Sequence, residues 1–290
     1  MKYYFVINPN AGNEESKKEL LNYIEKVCFS IDYEIYYSKS KEDIRDFVMQ
    51  HKMEECTIFA CGGDGTIHDV INGAINGKVN IGIYPCGSGN DFARMFKDST
   101  NLEKLMKMDS KKVDTIRIND EYSINVVNIG FDAAVNGDVD RFKKRFSVEK
   151  AYNFSILFNI LKKMNHKYKI VIDDEVVEDG PFLLMSLGNG GYYGGGYNCS
   201  PNAIIDDGLI EFCAIRKIGR FKLSKLISKY KDCTHLSDPQ FKNIILYKRC
   251  KKVEIISSYK FNVTMDGENV KMNHLVAEIE EKSVNLICDI

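Results

Sequence analysis

The 290-residue sequence carries almost no net charge, no long apolar run and no cysteine spacing of the metal-binding kind, and each deficiency removes a class of function. Forty Lys and Arg stand against 41 Asp and Glu, a formal net charge of −1, so only a local patch could attract an anionic partner. No stretch approaches the ~18 uninterrupted apolar residues that a spanning helix needs, because Lys, Asn or Gly breaks every greasy segment within a few positions. The opening MKYYFVINPN has one lysine and a strand-length apolar run, too short for a signal-peptide core and without a small-residue cleavage pattern. Secretion is therefore not expected, and the chain reads as cytoplasmic. Nine cysteines are odd in number and form no CxxC or Cys/His pattern. Cys56, Cys61 and Cys86 fall in strand-like runs where a reduced thiol packs as a small hydrophobe, which is the reading preferred over a disulfide framework.

What is present describes a folding chain: 44% hydrophobic and 28% charged residues, at a length that favours two domains. Short apolar strands alternate with helical patterns in the first third. Lys2 to Asn8 reads as a strand, Glu15 to Phe29 as a helix with Leu20, Leu21, Ile24, Val27 and Cys28 on one face, and Tyr33 to Ser38 as a strand. A helix from Ser40 to Gln50 with a Ser40/Asp43 capping pair, a strand from Cys56 to Cys61, a helix from Thr66 to Ile75 and a strand from Asn80 to Pro85 follow. Alternation of this kind implies a parallel sheet covered by helices, a Rossmann-like α/β domain whose ligands gather at the carboxyl ends of the strands.

Beyond Val113 the pattern changes to closely spaced strands, at 113–118, 122–129, 168–172, 182–187, 209–215, 243–247, 253–257, 261–265, 275–280 and 284–287, the signature of a β-sandwich. Helical insertions are expected at Ser147 to Met164 and Phe221 to Lys231. The division drawn from this change is an α/β domain at 1–125 and a β-rich domain at 126–290.

Three glycine turns carry the chemistry. Cys61-Gly62-Gly63-Asp64-Gly65-Thr66 follows a strand and opens a helix, so backbone N–H groups and the helix N-terminus can face phosphate oxygens. Asp64, in their midst, would organise Mg²⁺ rather than touch phosphate, because like charges repel. Pro85-Cys86-Gly87-Ser88-Gly89-Asn90-Asp91-Phe92-Ala93-Arg94 repeats the arrangement after another strand, and Asn8-Pro9-Asn10-Ala11-Gly12 ends the first. A purely structural need for glycine would not put all three on one edge of one sheet. Asp266-Gly267-Glu268, read alone, is a hairpin turn, and Asp206-Asp207-Gly208 reads equally as a solvated turn or a metal site.

In this order NPNAG, GGDGT followed by INGA, and GSGNDFAR resemble the catalytic domain of the diacylglycerol kinase family, including its bacterial lipid kinases. Downstream, Gly194-Gly195-Gly196, Pro201, Ala203 and Asp206-Asp207-Gly208-Leu209 resemble that family's second-domain motif, and Asp266-Gly267-Glu268 its acidic triplet. GGDGT itself is shared with phosphofructokinases and NAD kinases. The resemblance implies an ATP- and Mg²⁺-dependent lipid kinase of phospholipid biosynthesis with its active site in a cleft between two domains, diacylglycerol being the foremost acceptor and phosphatidic acid the product. It places Asn8, Asn10, Ser38, Gly62, Gly63, Asp64, Gly65, Thr66, Gly87, Ser88 and Asn90 around ATP. Glu268 becomes the general base and Asp64 a second catalytic group. Asp64, Asp91 and Asp114 would surround the catalytic Mg²⁺, and Asp207 with the carbonyls of Ile204 and Leu209 would bind a second, structural one.

Two positions depart from the family pattern. Asn13 replaces a basic residue of some relatives, leaving phosphate charge compensation to Lys17, Arg94 or a cation of the second domain. His68-Asp69 replaces Asn-Glu, with His68 expected to cap the helix or to be solvated. The segment Arg141 to Lys169 holds nine Lys and Arg against Glu149 alone, interleaved with aromatic and aliphatic residues. It suits peripheral contact with an anionic membrane at its inner face, or equally a core-packed helix with a basic outer face. No nucleic-acid module accompanies it. The competing readings are an NAD kinase and a catalytically silent lipid-binding regulatory protein. The acceptor lipid is not encoded in these motifs, and oligomeric state is left open, a homodimer included.

Overall fold

The computed structural model describes residues 1–12, 14–130, 155 and 167–289. They form two compact units, Met1–Thr115 with Glu281–Ile290, and Ile116–Glu280. This split differs from the sequence-based division at 125, because the last strand of the chain returns to the first unit.

In the first unit the βαβ alternation appears with the expected elements: β1 (Lys2–Ile7), α1 (Glu14–Val27), β2 (Tyr33–Tyr37), α2 (Lys41–His51), β3 (Cys56–Gly62), α3 (Asp64–Ala74) and β4 (Asn80–Pro85). A 3₁₀ turn at Phe92–Met95, the short α4 (Leu102–Leu105) and β5 (Ser110–Ile118) follow. The strands lie parallel in the order β2-β1-β3-β4. Their near-continuous apolar sequences, such as Phe5, Val6, Ile58 and Phe59, are buried because helices cover such a sheet. Phe5 stacks on Phe59 with ring centroids 5.2 Å apart. Leu20 and Ile24 of α1, with Cys28 just past its end, pack on that pair, as their spacing requires. Ser40 caps α2 by accepting the Asp43 N–H at 3.2 Å, and the Arg45 guanidinium of α2 pairs with Asp69 of α3 at 2.9 Å.

The returning C-terminal strand adds to the sheet at β4, where Asn285 pairs with Asn80 and Leu286 with Ile81 in parallel register. Thr115 and Ser283 share a buried hydroxyl bond of 2.8 Å. Val284 and Leu286 are almost fully buried there, which is why the chain end belongs to this unit.

The second unit contains β6 (Glu121–Ser123), β7 (Val126–Gly130), β8 (Lys167–Ile172), β9 (Glu175–Gly188), β10 (Tyr192–Tyr193), β11 (Tyr197–Asn198), β12 (Ile210–Arg216), α5 (Arg220–Lys231), β13 (Ile245–Cys250), β14 (Lys252–Met265) and β15 (Glu268–Ile287) as far as Glu280, the rest of β15 being the returning strand of the first unit. Its ladder is antiparallel, and β7 and β8 each pair with both β9 and β14. The pairing thus closes around a core that includes Ile170, Met185, Phe212, Val263 and Leu275. Strands read separately at 253–257 and 261–265 are one strand with a register shift between Ile256 and Phe261. Those at 275–280 and 284–287 are likewise parts of β15. Polar stretches interrupt the alternation of side chains there without interrupting backbone pairing. Conversely, the expected strand 122–129 is broken at Ile124 and Asn125, for a reason that lies in Asp266. The expected helix at 147–164 lies outside the described residues apart from Ser155.

On the far face of β12, α5 buries Leu223, Leu226 and Tyr230. His235 stacks on Tyr230, its ring 4.0 Å away, and its Nε2–H donates to the Cys199 carbonyl at 3.2 Å. Burial pushes its imidazole down to about 4. A proton taken up by the unfolded chain below pH ~6.5 is thus refused by the folded one, so the stability linked to this ring is full above that pH and lost as pH falls toward about 4. Urea unfolding at pH 5 is expected to give a stability about 2 kcal/mol lower through this group than at pH 7, and His235→Phe should flatten the dependence.

Candidate functional site

The first unit assembles its glycine turns by strand order alone. With β1, β3 and β4 parallel and adjacent, the segments after Ile7, Gly62 and Pro85 all leave the same edge of the sheet. Asn8 joins the first two turns: its N–H donates to the Cys61 carbonyl at 3.3 Å and its Nδ2 to Thr66 Oγ1 at 3.2 Å, while its Oδ1 accepts the Asn10 N–H at 2.9 Å. Ser38, at the end of β2, directs its N–H and hydroxyl to the Ile7 carbonyl.

The second and third turns touch backbone to backbone. The Cys86 N–H donates to the Gly62 carbonyl at 2.9 Å, and a Cβ on Gly87 would lie 2.4 Å from Gly63 Cα. Only glycine permits that approach. Asn90, at φ 53, folds the third turn by accepting the Gly87 N–H at 2.9 Å and returning its amide to the Gly87 carbonyl at 2.8 Å. Gly63 caps α3 without a side chain, so the first N–H groups of an 11-residue helix face this edge.

Asp64 and Asp91 reach one small space: a Cβ placed on Gly89 would stand 2.9 Å from Asp64 Oδ2 and 3.6 Å from Asp91 Oδ2. Asp64 Oδ1 accepts the Phe92 N–H at 3.3 Å, and Arg94 pairs with Asp91 at 3.3 Å and donates to the Gly89 carbonyl at 3.2 Å. Two hard carboxylate donors fit Mg²⁺, which would supply charge neutralisation beside the phosphates. Among the described residues no group of three or more His, Cys, Asp or Glu is placed to hold a metal. Lys17 donates to the Pro9 carbonyl, which brings an ammonium beside the first turn. Asn13 lies outside the described residues.

Asp114 does not join this network. Its Oδ1 accepts the Lys282 N–H at 2.7 Å, and its neighbour Thr115 bonds to Ser283, two residues before the strand end that pairs with Asn80 at the start of β4. That is the amino-terminal edge of the sheet, at least the length of a six-residue strand, about 20 Å, from the glycine turns. Nor is His68 a solvated cap: it is buried within α3 beside Asn72, whose amide donates to the His68 carbonyl at 2.8 Å.

In the second unit Asp266-Gly267 is the two-residue tip of the β14–β15 hairpin, with φ of 47° and 101° and Met265 paired to Glu268. Hairpin and acidic triplet are thus one feature. Glu268 opens β15 with its side chain exposed, whereas Asp266 is buried. At the Asp207 turn, Asp207 Oδ1 accepts the Leu209 N–H at 3.0 Å and Oδ2 pairs with Arg249. The Arg249 Nε also meets Glu211 at 2.6 Å, directly across the β12–β13 ladder. The carboxylate assigned to a structural Mg²⁺ is thus paired with a guanidinium, as Asp91 is with Arg94. Arg249 and the Ser123–Val126 segment give no signal in the sequence, whereas Asp266 is marked there as part of a turn and of the acidic triplet, with no role of its own. The basic stretch 141–169 falls outside the described residues except for Ser155 and Lys167–Lys169. Among described residues no helix is long and apolar enough to cross a membrane.

Residues 2–118 match the family model of the diacylglycerol kinase catalytic domain, and residues 125–288 that of the YegS C-terminal NAD kinase beta sandwich-like domain. A YegS-like lipid kinase of Chromohalobacter salexigens is 30% identical over 73% of this chain and 69% of its own length. A diacylglycerol kinase of Staphylococcus carnosus is 26% identical over 91% of this chain and 87% of its own. A crystal structure from Bacillus anthracis str. Sterne, described as a diacylglycerol kinase, has the same fold, with a TM-score of 0.79 at 23% identity, covering 99% of this chain and 97% of that one. The glycine turns and the exposed hairpin glutamate therefore stand in both matched halves of one known two-part pattern, and the chain belongs to the lipid kinase family that joins a diacylglycerol kinase catalytic domain to a YegS-type β-sandwich, transferases with an alcohol as acceptor.

Proposed function

We propose that this protein transfers the γ-phosphate of ATP to the hydroxyl of a membrane lipid, with diacylglycerol the acceptor to be preferred. The observation that carries the reading is the joined edge of β1, β3 and β4, where the bare start of α3 turns backbone N–H groups toward an anion, Asn8 and the Gly63–Gly87 contact hold the neighbouring turns against it, and Asp64 and Asp91 reach a common space. Phosphoryl transfer asks little covalent chemistry of a protein and much positioning and charge stabilisation. Asn8, Asn10, Gly62 to Thr66, Gly87, Ser88 and Asn90 orient the nucleotide, and Asp64 with Asp91 holds Mg²⁺, which neutralises phosphate charge when bound. Glu268 removes the proton of the lipid hydroxyl as its oxygen attacks phosphorus, and ADP departs with the bridging oxygen. Because the acceptor resides in a membrane, the reading includes peripheral contact through 141–169.

Labelled ATP with Mg²⁺ and mixed micelles of diacylglycerol, ceramide, a sphingoid base or a polyprenol, beside a reaction containing NAD, tests it. Phosphatidic acid as the main labelled product is expected. Labelled NADP without a labelled lipid, or no product with any acceptor, overturns the reading.

A further inference from the structure

We propose that Asp266 is the positioning residue for Glu268. A hairpin tip of Asp-Gly type is ordinarily solvated and needs nothing from its aspartate beyond a left-handed backbone. Here the aspartate is buried, with 7% of its surface exposed, and its carboxylate is met by four donors. Oδ1 accepts from Ser123 Oγ at 2.6 Å, the Asn125 N–H at 3.0 Å and the Val126 N–H at 3.2 Å, and Oδ2 from the Ile124 N–H at 3.1 Å. The Asp266 N–H is itself received by the Val126 carbonyl at 3.2 Å. Three successive backbone amides given to one carboxylate cannot also serve a β-ladder, and this breaks the strand between Ser123 and Val126.

The segment so held is fixed from its other side as well. Asn189 Nδ2 donates to the Ile124 carbonyl at 2.8 Å, the Asn189 and Gly190 N–H groups to the Asn125 carbonyl at 2.9 and 2.8 Å, and Asn125 Nδ2 to the Tyr192 carbonyl at 2.7 Å. The turn bearing Glu268 is therefore tied to β7 and to the glycine-rich stretch after β9, while the Glu268 side chain, two residues on, stays exposed. Charge-assisted bonds from backbone donors are strong and directional, and a base works only when its supporting shell fixes its place. Asp266 touches no reacting atom in this account; it acts through Glu268, so the inference rests on Glu268 being the base.

A double-mutant cycle on the full chain, assayed with diacylglycerol micelles and labelled ATP, tests it. Asp266→Asn keeps the volume but puts an amide donor against backbone donors. It is expected to lower kcat about 10- to 100-fold with the KM for ATP changed by less than about twofold. In a Glu268→Gln background the same substitution should lower the residual rate by less than about twofold, because there is no longer a base to misplace. Wild-type kcat in Asp266→Asn, or an equal loss in both backgrounds, overturns the inference, the latter marking a purely structural role. Wild-type kcat in Glu268→Gln alone removes the reading beneath it and is seen independently of Asp266. Should Asp266→Asn fail to fold, Ser123→Ala, which withdraws one of four donors, runs the same cycle with an expected loss of about threefold.

Discussion

Glu268→Gln is expected to lower kcat by about 10²- to 10⁴-fold while leaving the KM for ATP within about twofold. The amide has the shape of the carboxylate and cannot take the proton of an attacking hydroxyl at neutral pH, so the loss falls on the chemical step. ATP is assigned to groups of the first unit, which the substitution does not touch. Thermal stability should hardly move, since the side chain is exposed at a hairpin tip whose geometry depends on Asp266, and surface changes away from special features stay within ±0.5 kcal/mol. Measuring kcat and KM with saturating lipid, together with the melting temperature, checks all three points. A variant with full kcat would mean that the hydroxyl loses its proton to another group or to solvent, and the role given to this glutamate would end.

The first unit was legible because its signals are local and agree with one another. Apolar strands alternate with amphipathic helices, Ser40 caps α2 where its spacing puts it, and each glycine turn follows a strand. Strand order then gathers those turns on one edge without further information. What escaped the sequence depended on long-range pairing. Asp114 looked like a third acidic ligand because its type and motif context were right, but nothing local says that the chain end folds back to meet it at the opposite edge. Arg249 and Asp207 lie 42 residues apart and meet only through the β12–β13 ladder. Asp266 reads from the sequence as turn chemistry and as part of the acidic triplet; the first is true of its backbone, and neither reveals the donors to its carboxylate, which lie some 140 residues earlier. His68 departs from expectation for a related reason, since α3 is buried on nearly all sides and polar character alone does not put a residue outside.

Gly87→Ala should damage nucleotide use severely. The new Cβ would stand 2.4 Å from Gly63 Cα and 2.9 Å from Asn90 Oδ1, well inside van der Waals contact. The first neighbour is backbone at the cap of α3, so no rotamer change relieves the clash; the two turns must part by about 1 Å. Parting them strains the Cys86 to Gly62 hydrogen bond and moves the first N–H groups of α3 away from those of the third turn. A displacement of that size at a positioning site costs on the order of 10²-fold in kcat/KM, and overpacking of this kind costs about 1–3 kcal/mol in stability. The loss should appear as a raised KM for ATP, because the damaged element binds phosphate, whereas Glu268→Gln leaves that KM in place. Gly219→Ala, where an added Cβ meets nothing within 4 Å, is the matched control and should keep the wild-type KM. If folded Gly87→Ala protein bound ATP as tightly as the parent, the contact between the second and third turns would be scaffolding alone, and the phosphate would have to be held elsewhere.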